Sequence, residues 1–396
     1  MSAAAFSLQR NLTSLYIIKV AKWMNLVMPV VVLFYKSNSM TMQDIFTLQA
    51  VYSVTLMALE IPTGYFADMA GRRTSILIGS FFGFAGYLLY SFSGGFWEFV
   101  VAETILGVGM SLVSGADSAM LYDSLASAGL SEKYTRYEGR ITSFGNFAEA
   151  FAGIAGGLLA ASSLRTPYYF QAGIAFLAIP AALVLREPPV HGNIRKPGLH
   201  DIFAIIRKVL HGDRKLFWNT IFSAVTGVST LTMAWFAQPF FIRAGLQVTL
   251  FGVVWALLNL AVGMAAMYAW RVESNLGPRK TVMLFTFFLL LGYFGLALGG
   301  VFMGFVFLLL FYFARGLATP TLRNYINIIT ASDTRATVLS VRNFIIRGLF
   351  AVLGPFYGLV TDRYGLSEAL LLAGVVFGIL SLGSLFFFLK YRTYEA

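Results

Sequence analysis

The stretch EIPTGYFADMAGRRTSILIG, residues 60–79, places one acid and two adjacent arginines in a short break between two long apolar runs. The charged residues are Asp68, Arg72 and Arg73, and Gly71 directly precedes the arginines. Glycine permits a tight turn, because it has no Cβ. Basic turns between apolar runs are typical of a chain that crosses a membrane and returns, so the flanking runs decide the fold class.

The composition agrees with a membrane protein. Of the 396 residues, 58% are hydrophobic and only 12% are charged, whereas roughly 25% of residues are charged in a soluble domain. Apolar runs long enough to span a bilayer recur from end to end. We therefore expect an all-α polytopic protein that passes many times through the lipid bilayer of the cell (inner) membrane.

Run lengths predict twelve transmembrane helices in two six-helix halves. The predicted helices cover residues 12–35, 43–66, 74–92, 97–122, 140–161, 167–186, 215–242, 248–270, 280–299, 301–323, 336–361 and 366–390. With the N-terminus inside, the inner segments hold 20 of the 29 Lys and Arg residues and the outer segments hold 4. This asymmetry places both termini in the cytoplasm. The net charge of +11 thus reflects topology, and no nucleic-acid partner is expected.

The longest polar stretch divides the chain. Residues 1–186 form the predicted N-terminal half, 187–214 a cytoplasmic linker, and 215–396 the C-terminal half. Within the linker, DIFAIIRKVL has the apolar spacing of an amphipathic helix on a membrane surface. The halves also echo each other, because GYFADMAGRRT in the first half has a counterpart, RVESNLGPRKT, in the second.

The stretch GYFADMAGRR resembles the loop motif of the major facilitator superfamily, G-x-L-A-D-x-x-G-R-R/K. Its fixed positions are filled by Gly64, Asp68, Gly71, Arg72 and Arg73. Met69 departs from the motif, since a basic residue is usual there. Length, topology and the repeated motif extend the resemblance over the whole chain, and SGADSAMLYDSL at 114–125 resembles a bacterial drug-exporter-like branch. The resemblance implies a secondary active transporter that works by alternating access.

These motif residues are expected to gate the transporter. Asp68 can face the positive end of a helix dipole, and Arg72 can pair with an acid at the inner end of the fourth helix. Asp117 and Asp123 are the two candidates for that acid. Such contacts would form in one conformation and break in the other. The alternative is that Arg72 and Arg73 only hold the loop on the cytoplasmic side of the membrane, where basic residues are enriched.

Two other stretches depart from patterns of the family. In ETILGVG, Glu103 occupies the position where R-x-x-x-G-x-G has its arginine. In AGIAGG, Gly156 and Gly157 are present, but the proline of G-P-x-x-G-G is not. Both patterns bear on ion coupling in the family and not on its fold.

Charges near the middle of the predicted helices indicate a central site. Lys22 lies about ten residues into the first helix, which at roughly 1.5 Å per residue is near the midplane. Glu149, Arg315 and Arg347 lie at similar depths. We expect a hydrated cavity in which Glu149 is either the protonation site or a salt-bridge partner, and the three basic residues contact an anionic or zwitterionic substrate. Asn25, Asn146, Trp235 and Asn259 would add further contacts. The alternative is a structural network of paired charges.

The sequence therefore predicts a non-enzymatic transporter, an antiporter for efflux, that moves a small organic solute by proton-coupled export. Neither a phosphate-binding loop nor an H-E-x-x-H motif occurs in the chain, and no cofactor or metal is expected. Two alternatives stay open. One is a uniporter or symporter of an anionic metabolite or siderophore, and the other is a non-transporting membrane sensor or scaffold.

Overall fold

Helices make up the regular structure of residues 3–188, 212–330, 335–391 and 393–394, which this computed structural model describes. The helices of this described part are α1 Ala3–Trp23, α2 Val31–Ser37, α3 Met42–Ala70, α4 Arg72–Phe92, α5 Phe96–Val113, α6 Ala116–Ser127, α7 Tyr134–Ala160, α8 Thr166–Phe176, α9 Ala178–Val184, α10 Arg214–Arg243, α11 Val248–Leu298, α12 Val301–Ile329, α13 Arg335–Tyr364 and α14 Leu366–Lys390. The predicted linker helix at DIFAIIRKVL lies outside the described residues, as does the side chain of Asn146.

Ten stretches of the described chain are long and apolar enough to cross a membrane. One of them, α11, has 51 residues and would be about 77 Å long, more than twice the thickness of the hydrocarbon core. Gly277 interrupts this helix, because its backbone angles (φ 74°, ψ 161°) are not helical. Glycine adopts such angles easily, since it has no Cβ. The α7 helix is not among the ten. The count of twelve spans and the cytoplasmic termini stay predictions.

The chain forms two compact units, and each unit includes a short segment that is separated in sequence from the rest of the unit. Unit 1 comprises Met1–Met40, Val51–Ile194 and Gln247–Ala256. Unit 2 comprises Thr41–Ala50, Arg195–Leu246 and Leu257–Ala396. The α3 helix therefore contributes its first residues to unit 2 and the remainder to unit 1, and the beginning of α11 belongs to unit 1.

Small residues bring α4 and α5 together in unit 1. A Cβ atom at Gly79 would lie 2.8 Å from the carbonyl oxygen of Gly109, and one at Gly109 would lie 2.9 Å from the carbonyl oxygen of Gly79. Close backbone contact of this kind is the usual way in which membrane helices associate, since lipid provides no hydrophobic drive between them. The two helices consequently form a tight pair along which the residues of α4 are positioned.

In unit 2, α10 is the central element. Many of its side chains are buried, among them Phe222, Phe236 and Phe240. Tyr293 of α11 donates a hydrogen bond to the carbonyl oxygen of Ser229 on α10 (2.6 Å). At the first turn of α3, the Asp362 carboxylate accepts hydrogen bonds from the backbone N–H groups of Met42 (2.9 Å) and Gln43 (2.8 Å), which have no partner inside the helix.

Two of the predicted helices are interrupted by irregular backbone, and a third, 167–186, is divided into α8 and α9 at Leu177. The predicted helix 97–122 ends as α5 at Val113 and resumes as α6, with Gly115 between them at a positive φ of 84°. The predicted helix 12–35 is interrupted between α1 and α2 by residues 24–27 and a 3₁₀ turn that contains Pro29. Side chains satisfy the amides that the break after α1 releases, because unpaired backbone groups are costly inside a membrane.

Candidate functional site

A charged network surrounds the N-terminus of α4 in unit 1. Gly71 has a φ of 93° and turns the chain sharply into α4. Directly after it, Arg72 forms an ion pair with Asp123 of α6 and donates a hydrogen bond from Nη1 to the carbonyl oxygen of Ala119 (2.6 Å). Arg73 donates from Nη2 to the carbonyl oxygen of Leu183 (3.0 Å). The loop arginines thus connect α4 to α6 and α9.

Glu187 completes this network. Its two carboxylate oxygens accept hydrogen bonds from the backbone N–H groups of Arg72 (2.8 Å) and Arg73 (2.8 Å). A carboxylate at this position satisfies two unpaired donors and interacts favourably with the helix dipole. In the sequence, Glu187 is the first residue of the predicted linker, where no role is expected for it. Its one sequence signal is that an acid follows directly after the end of a predicted helix.

The remaining motif residues lie at the same end of unit 1. Asp68, near the C-terminus of α3, is exposed and is close enough to Asp123 for the two carboxylates to interact electrostatically. Gly64 is also exposed, with open space where a side chain would be. Of the two acids considered as partners of Arg72, the ion pair is with Asp123, and Asp117 has other partners. We call Arg72, Arg73, Asp123 and Glu187 the α4 cap network.

A second charged cluster lies inside unit 1, beside the two helix breaks. Lys22 Nζ is 3.4 Å from Asp117 Oδ2, and Lys19 Nζ is 4.0 Å from the same oxygen. Lys19 is also 3.9 Å from Glu138 Oε1. Asp117 is in the first turn of α6, where the helix dipole favours a negative charge. Two positive and two negative side chains are therefore grouped where α1 and α5 end.

Polar side chains satisfy the backbone at the break after α1. Asn25 Oδ1 accepts hydrogen bonds from the N–H groups of Val27 (3.3 Å) and Met28 (3.2 Å). Gln171 of α8 accepts one from the N–H group of Leu26 (2.8 Å). The side-chain oxygen of Asn25, a residue predicted to contact the substrate, thus has backbone partners in this conformation. Neither the break nor the role of Gln171 was recognised in the sequence, since both depend on tertiary contacts.

The other residues of the predicted central site are divided between the units. Glu149 is half-buried on α7 of unit 1. Unit 2 holds Trp235 on α10, which is buried, and the half-buried Asn259, Arg315 and Arg347 on α11, α12 and α13. The Arg315 guanidinium lies 5.7 Å from the centre of the Tyr312 ring, where a cation–π contact is favourable. The described contacts thus join Lys22 to Asp117, and the roles of the other residues stay predictions.

The repeated motif in unit 2 has a related geometry. Gly277, like Gly71, has a positive φ and precedes a helical stretch with two basic residues in its first turn, Arg279 and Lys280. Before it, Glu273 accepts a hydrogen bond from the Tyr325 hydroxyl group (3.1 Å), and after it, Arg279 Nε donates one to the Tyr394 hydroxyl oxygen (2.9 Å). The glycine turn is therefore common to both motifs, whereas tyrosine hydroxyls replace some of the carboxylate partners of unit 1.

Known structures resemble this fold over nearly the whole chain. A point mutant of the nucleoside transporter NupG matches with a TM-score of 0.80 and 14% identity, over 97% of this chain and 99% of that chain. A POT family transporter in complex with 5-aminolevulinic acid matches with a TM-score of 0.75 and 12% identity, over 96% of both chains. A bacterial homolog of the human lysosomal transporter Spinster matches with a TM-score of 0.75 and 14% identity, over 100% of this chain and 98% of that chain.

No curated protein matches the chain by sequence. The sequence pattern of the Major Facilitator Superfamily, in contrast, matches residues 15–355, which is most of the chain. The glycine turns, the repeated motif and the helical fold agree with that match. The chain therefore belongs to the major facilitator superfamily.

Proposed function

We propose that this protein is a secondary active transporter that exports a small organic solute across the cell (inner) membrane by alternating access, coupled to protons. The observation that carries the proposal is the cluster of Lys22, Asp117, Lys19 and Glu138 inside unit 1. Lys19, Lys22 and Asp117 lie within predicted transmembrane segments, where charged side chains are expensive to insert and usually mark the path of a substrate or ion. Transporters also commonly place their sites beside interrupted helices.

In this proposal, the α4 cap network is the gate. Its contacts join α4, α6, the end of α9 and Glu187, which lies three residues beyond α9, all through groups at one end of unit 1. Contacts between partly exposed charges contribute only about 1 kcal/mol each. Such contacts can therefore form and break during a transport cycle, whereas the glycine contact of α4 and α5 stays intact. Asp68 would take part through its interaction with Asp123.

The substrate is proposed to be anionic or zwitterionic. Lys22 in unit 1 and Arg315 and Arg347 in unit 2 are basic residues of predicted membrane segments, and Glu149 is the acid proposed to exchange a proton. Asn25, Asn146, Trp235 and Asn259 are proposed to contribute polar and aromatic contacts. The excess of basic residues also favours the second candidate function, a uniporter or symporter of an anionic metabolite or siderophore.

The test uses the full chain reconstituted in liposomes with an imposed pH gradient. A pH-sensitive dye inside the liposomes reports proton movement while a panel of anionic, zwitterionic and neutral solutes is added, including nucleosides and 5-aminolevulinic acid. We expect at least one anionic or zwitterionic solute to move protons in the opposite direction, and Lys22→Gln to abolish this flux. Solute movement that is independent of the proton gradient would favour the uniporter. Absence of any flux, with intact folded protein, would favour a sensor and overturn the proposal.

A further inference from the structure

A buried carboxylate lies in unit 1 outside both charged groups described above. Glu103 of α5 is 6% exposed and is surrounded by tyrosine and phenylalanine side chains. The Tyr35 hydroxyl oxygen is 2.9 Å from Glu103 Oε1, and the Tyr90 hydroxyl oxygen is 2.7 Å from the same atom. The two hydroxyl oxygens are themselves 2.6 Å apart. Three oxygen atoms on α2, α4 and α5 are thus all within hydrogen-bond distance of one another.

The number of hydrogen atoms decides the charge of this group. Each phenol supplies one hydrogen, and an ionised carboxylate supplies none. The three oxygen–oxygen contacts would then share only two hydrogen atoms. One of the three pairs of oxygens would have no hydrogen between them. A proton on Glu103 Oε1 supplies the third hydrogen. Each oxygen of the ring then donates one hydrogen bond and accepts one, so the arrangement closes only when Glu103 is neutral.

The surroundings of Glu103 also disfavour its charged form. Burial among aromatic rings removes the water that would solvate a carboxylate, and Phe99 and Tyr168 stack with the Tyr90 ring. Other ionisable groups near the ring are Tyr87 of α4 and Tyr168 of α8, with Tyr52 of α3 beside Tyr87.

A cation lies at the same end of unit 1 but is bound to other groups. Arg165 donates hydrogen bonds to the carbonyl oxygens of Ser91 (3.0 Å) and Ser93 (2.8 Å) and to Asn38 Oδ1 (3.0 Å). Its guanidinium also lies 5.4 Å from the centre of the Phe34 ring. These contacts direct its hydrogen-bond donors to the ends of α2 and α4, so Arg165 does not take the place of the third hydrogen in the ring.

We propose that Glu103 is a proton-binding site, in which the bound proton closes a ring of hydrogen bonds with Tyr35 and Tyr90. The ligand is a proton from water, and its release leaves a carboxylate that needs solvent or a rearranged ring. Because the ring ties α2, α4 and α5 together at the end of unit 1 opposite Arg72, proton binding favours this packing over any in which these helices separate. The protonation does not depend on transport, but a part in coupling rests on the proposed function.

Infrared difference spectroscopy of the purified full chain tests the site directly. A neutral carboxyl group has a carbonyl stretching band that a carboxylate lacks. We expect the wild type in neutral buffer to show a band that is lost in Glu103→Gln, retained in Glu149→Gln, and shifted in Tyr35→Phe and Tyr90→Phe. The Tyr→Phe variants keep Glu103, so they decide the matter if Glu103→Gln does not fold. An unchanged carboxyl spectrum in all three variants of the ring would overturn the proposal.

A second measurement separates this inference from the proposed function. The pH dependence of proton-coupled flux is compared between wild type and Glu103→Gln in liposomes. A flattened pH profile in the variant supports a part in coupling. An unchanged profile, with proton-coupled flux present, removes Glu103 from coupling and leaves the proposed function intact. If no solute moves, the infrared result alone decides whether Glu103 binds a proton.

Discussion

At the scale of single residues, the charges of unit 1 fall into groups with different surroundings. Arg72 and Asp123 are partly exposed, with side-chain exposures of 21% and 16%, and lie at the end of a helix. Lys22 and Asp117 are within predicted membrane segments, where a charge without a partner is expensive. We therefore expect substitutions in the first group to change conformational populations and those in the second to change stability.

Asp123→Asn should impair transport without unfolding the protein. The substitution removes the ion pair with Arg72, whose contribution at this exposure is about 1 kcal/mol. That energy changes a two-state population about fivefold. We expect a transport rate lowered severalfold, with a melting temperature close to that of the wild type. The control is Glu132→Gln, an exposed acid on the turn Ser131–Lys133 of the same unit. A normal rate in Asp123→Asn would show that the α4 cap network does not gate transport.

The Lys22–Asp117 pair should behave non-additively. Asp117→Asn leaves Lys19 with Glu138 and removes the carboxylate that pairs with Lys22, and Lys22→Gln leaves Asp117 with Lys19. The pair is partly buried within predicted membrane segments, where removing one partner is usually worse than removing both. We expect the double variant to be more stable than the sum of the single effects, by about 0.5–3 kcal/mol. Unfolding of the four proteins in detergent measures this coupling. Additive effects would mean that the two side chains do not interact in the folded protein.

At the scale of helices, the sequence predicts those helix boundaries that apolar runs and turn residues mark locally. The boundary at Gly299 and Gly300 is confirmed, since α11 ends at Leu298 and α12 begins at Val301. The break at Gly115 was missed, because a single glycine in an apolar run does not reveal its φ angle. Glu187 was missed for a different reason. Its partners, Arg72 and Arg73, are more than a hundred residues away, and no local pattern records such a pairing.

Packing of α4 on α5 allows a sharp comparison between two glycines one turn apart. A Cβ at Gly79 would lie 2.7 Å from a methyl group of Val113 and 2.8 Å from the Gly109 carbonyl oxygen, whereas one at Gly83 would meet open space. We expect Gly79→Ala to destabilise the protein by about 1–3 kcal/mol, as overpacking does. Gly83→Ala should be close to neutral or slightly stabilising. Equal effects of the two substitutions on thermal unfolding would contradict the close approach of these helices.

At the scale of the whole molecule, the predicted topology states how often and in which direction the chain crosses the membrane. The described helices provide ten candidate spans, and two features link this number to the predicted twelve. The first is α11, which is too long for one crossing and is interrupted at Gly277. The second is α7, whose 27 residues are long enough to span but include several charges. The excess of basic residues in the predicted inner segments sets the orientation.

The absence of cysteine from the chain makes this topology directly measurable. Single cysteines can be introduced at exposed positions, Ser131 and Ala161 on the two sides of α7, and Gln247 and Ser274 before and within α11. In intact cells, we expect a membrane-impermeant maleimide to label Ala161→Cys and Gln247→Cys. Ser131→Cys and Ser274→Cys should react only after the membrane is opened, because the basic residues near them hold these segments inside.

The four positions together decide the number of spans around α7 and α11. Opposite labelling of Ser131→Cys and Ala161→Cys means that α7 crosses the membrane. Opposite labelling of Gln247→Cys and Ser274→Cys means that the first part of α11 crosses once before Gly277. The rest of α11 must then return, since Arg279 and Lys280 follow the turn and the apolar run to Leu298 is long enough to span. Identical labelling of either pair would contradict the twelve-helix arrangement.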